Sequence, residues 1–90
     1  MLEARKHLHE TDCRITEWRI LIGRQKRRIA EMQKGGYSAA GSITLLREME
    51  VSLNSMRDER KLIARRIEWH RRLLRETELT RAARHNVRRR

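Results

Sequence analysis

The feature that most constrains this chain is an apolar row with alternating steps of four and three residues, written twice, once on each side of a glycine cluster. The first row reads Met1, Ala4, Leu8, Thr11, Ile15, Trp18, Ile22, Gln25, Ile29 and Met32. The second reads Ser42, Leu46, Met49, Leu53, Met56, Arg60, Ile63, Ile67, His70, Leu74 and Thr77. Such spacing places one narrow apolar stripe along a helix. Strict alternation is absent, which argues against strands. The chain has no proline, so the strongest helix breaker is missing throughout. Thr11, Gln25, Arg60 and His70 are the polar or charged interruptions.

Between the two rows lies Gly35-Gly36-Tyr37-Ser38-Ala39-Ala40-Gly41. A glycine just past a helix end can take the left-handed conformation that closes the last turn. Lys34 beside it favours the negative end of the helix dipole. Ser38, or alternatively Ser42, is placed to cap the next helix. A short loop makes successive helices antiparallel neighbours. The spacing therefore predicts an all-α, two-helix antiparallel coiled-coil hairpin over residues 1–79. The first helix covers about 2–34, the loop about 35–38 and the second helix about 39–79. Residues 80–90 lack apolar periodicity and read as a basic tail that frays.

Folding at the glycines pairs Ile22 with Met49, Trp18 with Leu53, Ile15 with Met56, Leu8 with Ile63 and Ala4 with Ile67. Thr11 then faces Arg60, so two interruptions coincide. A slipped register would bury Arg60 against an isoleucine or a leucine. The second helix is the longer one, and its excess projects beyond Met1 from about His70.

A two-helix seam buries little. A small single core rarely supplies more than about 3–5 kcal/mol, and a lone cysteine, Cys13, allows no internal disulfide. Apolar residues also remain off the main rows: Leu62, Trp69 and Leu73, with Leu74 beside them, and Leu21 and Leu45. These are expected to meet a second copy and form a four-helix homodimer. The competing expectation is that Trp69 folds over Met1 and Ala4.

Charge is unevenly placed. The net +11 divides into +4 over residues 1–34, zero over 35–64 and +7 over 65–90. A basic end suits an anionic partner. The residues that would touch phosphates are Arg65, Arg66, Arg71, Arg72, Arg75, Arg81, Arg84, Arg88, Arg89 and Arg90, with a smaller cluster at Arg24, Lys26, Arg27 and Arg28. The competing reading is a solvated face held by spaced pairs such as Glu68–Arg72 and Arg72–Glu76. Stacking aromatics are missing from the basic part apart from Trp69, and no groove-reading motif is visible.

Other chemistry finds little support. His9 and Cys13 share a helix face, but His7 lies on another and no third ligand is near, so no metal is expected. The glycine loop lacks the Gly-Lys-Ser/Thr ending of a phosphate cradle. A two-helix seam offers no concavity for converging catalytic groups. Neither an enzyme, a cofactor nor a small-molecule substrate is expected. The longest apolar run, Ile20-Leu21-Ile22, is far too short to span a membrane. No apolar stretch follows the first charges as in a secretory signal, so the expected location is cytoplasmic.

The stretch Ile22-Gly23-Arg24-Gln25-Lys26-Arg27-Arg28-Ile29-Ala30-Glu31-Met32, then Gly36, then Leu45-Leu46-Arg47-Glu48-Met49-Glu50-Val51-Ser52-Leu53, resembles a group of short uncharacterised alphaproteobacterial helical-hairpin proteins. The resemblance covers roughly residues 8–68. It implies the hairpin and carries no activity. The sequence thus points to a helical interaction module that self-associates and binds a protein partner. The alternative is nucleoid-type binding of DNA or RNA backbones through the C-terminal arginines.

Overall fold

In the computed structural model the chain reverses once, at the glycines. The structure describes the backbone of residues 2–89 and the side chains of residues 2–85. Helix α1 spans Leu2–Lys34 and helix α2 spans Ala40–Arg89. At 1.5 Å per residue they are about 50 Å and 75 Å long. The molecule measures 84 × 17 × 15 Å. No helix among the described residues is long and apolar enough to cross a membrane.

The turn is built by its backbone bonds. Tyr37 N–H donates to the Met32 carbonyl at 2.9 Å, and Gly36 N–H donates to the Gln33 carbonyl at 3.1 Å. These two bonds, running back from just past the helix end, form a Schellman closure. Gly36 occupies its left-handed position with φ of 77°. A side chain there meets no neighbour, so the objection to one is purely conformational. Gly36→Ala is expected to lower stability by about 1–2 kcal/mol, read as a lower thermal midpoint with unchanged helix content at low temperature.

The second helix begins without the expected serine cap. Its first bond runs from Ile43 N–H to the Ala39 carbonyl at 2.9 Å, which puts Ala39 at the capping position. Ala39 is buried, and it continues the second apolar row three residues before Ser42. Close helix approach at the turn therefore favours a methyl over a capping hydroxyl. The Ser42 hydroxyl instead points to Met32 Sδ, 3.5 Å away.

Both rows face each other as the spacing requires. Ile15, Ile22 and Leu53 form a buried cluster, with Trp18, Leu46, Met49 and Met56 packed against it. Ile29, Ile63 and Ile67 are buried further along. The polar members of the rows are each resolved differently. Thr11, 2% exposed, donates to the His7 carbonyl of its own helix at 2.9 Å. Gln25, also buried, donates from Nε2 to the Ser42 carbonyl of α2 at 2.9 Å. Arg60 is exposed. Its guanidinium turns outward to the Asp12 carboxylate, because a long charged side chain gains more from a solvated partner than from burial.

Among the described residues, Gln25 is the one buried side chain of the seam whose polar group bonds across to the other helix. Gln25→Ala removes that bond and leaves a void, and is expected to cost about 1–3 kcal/mol. Gln25→Leu, apolar and similar in volume, is expected to stay within about 1 kcal/mol of the parent. Paired thermal melts of the two variants separate the effects.

The second helix does not stop near residue 79. It continues to Arg89, so the segment from 80 is helical rather than a separate tail. Neither proline nor glycine follows Gly41, and arginine, alanine, leucine and glutamate are good helix formers. Ile67 is the last buried residue of α2 among those described, and every described side chain from Glu68 to His85 is exposed. The protruding part, residues 68–89, is about 33 Å of single helix.

Candidate interaction surface

From Glu68 to His85 every described side chain of α2 is exposed, so which of them share a face follows from helical geometry. Residues three and four apart share a face. Leu62, Trp69 and Leu73 make one stripe on this rule, and it lies away from the seam. Their exposures are 64%, 60% and 42%. Leu74, 57% exposed, lies instead on the continuation of the seam. The expected interface residues are therefore all uncovered, but they sit on two faces rather than one.

Trp69 is 60% exposed, and Met1, one of the two residues it was expected to cover, lies outside the described residues. The shallow hollow beside the Trp69 ring is lined by Arg65, Glu68 and Arg72, all from α2. This orientation follows from spacing, since Trp69 is two residues past Ile67 and points to another side of the helix.

The expected phosphate-binding arginines are also exposed where described, namely Arg65, Arg66, Arg71, Arg72, Arg75, Arg81 and Arg84. They do not form one patch. Arg71, Arg72 and Arg75 point to sides of the helix different from Arg81 and Arg84, so the protruding segment is basic around much of its girth. The side chains of Arg88 and Arg89, and Arg90 altogether, lie outside the described residues. Of the two spaced pairs considered, Glu68–Arg72 is present at 3.7 Å. The Arg72–Glu76 pair is not found among the described residues.

Across the hairpin two polar contacts flank the seam near Thr11. Arg60 pairs with Asp12, and His7 Nε2 lies 3.0 Å from Glu59 Oε1. All four side chains are about half exposed, so each contact stabilises by about 1 kcal/mol at most. They fix register more than they add stability. Cys13 is exposed, with Sγ 3.7 Å from His9 Nε2. No group of three or more His, Cys, Asp or Glu side chains among the described residues is arranged to hold a metal ion. His7 and His70 instead border an open hollow with Glu3, Ala4 and Arg66 at the mouth of the hairpin.

One surface feature escapes a reading based on hydropathy. The seam row continues past Thr77 in unbroken register as Arg81 and Arg84. Apolar periodicity fades there, yet the geometric row does not. Alternating four and three steps without regard to residue type would have found it.

No family model, no curated protein and no solved structure matches this chain.

Proposed function

We propose that this chain is a non-enzymatic helical interaction module, which self-associates through the outer stripe of α2 and offers its protruding end to a protein partner. The observation that carries this reading is the uncovered stripe Leu62–Trp69–Leu73, in which Trp69 is exposed. Tryptophan and leucine aligned on one helix face gain by meeting another apolar surface. The hairpin has reason to seek one, because its own core is a single narrow seam.

Mass in solution tests the proposal. At tens of micromolar the chain is expected at twice its 10.9 kDa mass. The stripe is flanked by Arg65, Arg66 and Arg72, whose mutual repulsion across a dimer is screened by salt. Association through this face therefore tightens as salt rises, opposite to the behaviour of a phosphate-binding surface. A chain that stays monomeric at every salt concentration contradicts the self-association.

A further inference from the structure

We propose that the seam face of α2 beyond α1, carrying Leu74, Thr77, Arg81 and Arg84, docks an acidic amphipathic helix of a partner protein, laid end to end with α1. This rests on reading the chain as an interaction module and supplies the chemistry of its partner.

The geometry comes first. Up to Ile67 this stripe of α2 is covered by α1, and the same stripe runs on with every described side chain from His70 to Arg84 exposed. A helix placed there meets the same ridge-and-groove surface that α1 meets. The protruding segment is about 33 Å long, enough to receive a helix of about 20 residues. A shallow groove along it is lined by Leu73, Glu76, Thr77, Thr80, Arg81 and Arg84.

Charge selects the occupant. Over the covered stretch the row is mainly apolar, from Leu53 and Met56 to Ile63 and Ile67, with Arg60 turned aside to Asp12. Over the open stretch it changes to Leu74, Thr77, Arg81 and Arg84. No ion pair among the described residues involves Arg81 or Arg84. A second copy is a poor occupant. Its α1 carries +4 and its own protruding segment is strongly basic, so like charges would oppose across the contact. A bare phosphate backbone would satisfy the arginines but leave Leu73 and Leu74 in water. An acidic helix with its own apolar row answers both halves of the surface: leucine against Leu74, carboxylates against Arg81 and Arg84.

The test uses the full chain and three labelled probes, followed by fluorescence anisotropy. The first is a synthetic three-heptad peptide with leucines at alternating three and four spacing and glutamates flanking them. The second is the same peptide with lysine for every glutamate. The third is a random-sequence DNA duplex of about 20 base pairs. The glutamate peptide is expected to bind at least about tenfold more tightly than either other probe at physiological salt. Arg81→Glu with Arg84→Glu should weaken it at least about tenfold, and Leu74→Ser at least about threefold. Arg27→Glu with Arg28→Glu, an equal charge change in the other basic cluster, should leave it within about twofold. Tighter binding of the duplex overturns the proposal in favour of phosphate recognition. So does insensitivity to Leu74→Ser, or equal loss in the Arg27/Arg28 control, since either means bulk charge alone. Solution mass of the same samples keeps the two readings apart. Leu73 lines the same groove as Arg81 and Arg84, so self-association is read on the parent chain, where a monomeric mass would contradict it without touching the peptide result.

Discussion

Replacing Leu53 with alanine is expected to unfold most of the hairpin at 25 °C. Leu53 is buried at the centre of the cluster with Ile15 and Ile22. Truncating a buried leucine costs about 2–5 kcal/mol, the upper part of the range applying where the surroundings cannot collapse into the void. A core this small supplies about 3–5 kcal/mol in total. The two magnitudes are comparable, so one substitution removes most of the margin. Circular dichroism at 222 nm and a thermal melt, taken at low protein concentration so that association adds little, read the effect. Val51→Ala is the control, because Val51 is exposed on the same helix only two residues away. It should shift stability by no more than about 0.5 kcal/mol. Equal, small effects at both positions would mean that the two rows do not form the core.

Trp69→Glu combined with Leu73→Glu is expected to convert the dimer to monomer at tens of micromolar while leaving the hairpin folded. These side chains make no contribution to the seam, since both are exposed and the hollow beside Trp69 is lined by α2 alone. In a dimer they would be the two largest anchors of the stripe. Losing an aromatic and an aliphatic anchor typically removes at least about 3 kcal/mol of association energy, roughly a hundredfold or more in Kd. Sedimentation velocity or light scattering gives the mass, and circular dichroism confirms the helices. A double variant that still runs as a dimer would move the interface elsewhere, with Leu21 and Leu45 the next exposed candidates.

Much of this architecture could be read from residue spacing. Two four-three rows and a glycine cluster specify two helices and a reversal, and the polar members mark where the seam is interrupted. What spacing could not decide was how each interruption is resolved. Thr11 bonds within its own helix, Gln25 reaches across to a carbonyl near the turn, and Arg60 leaves the seam for Asp12. These outcomes depend on side-chain length against local depth, which a register does not encode. The start of α2 was obscured for a related reason. A cap preference names Ser38 or Ser42, while the packing of Ala39 at the turn overrides it. The end of α2 is hidden from spacing because apolar periodicity fades before the helix does. A helix already nucleated can extend without an apolar row where no breaker intervenes, and residues 80–89 contain neither proline nor glycine. On the surface, Leu62, Trp69 and Leu73 were legible as residues off the main row. That the row itself carries on as Arg81 and Arg84 requires following geometry after hydropathy has faded.

The two rows can meet only if the chain doubles back at Gly36. Glu10 and Lys61 are both exposed and lie at about the same height on opposite helices. With Cys13 replaced by serine and nitroxide labels at these two positions, double electron–electron resonance measures their separation. The hairpin predicts a distance of about 10–25 Å, set by helices packed 8–10 Å apart plus the label arms. A distance near 75 Å, the length of about fifty residues of uninterrupted helix, would contradict it.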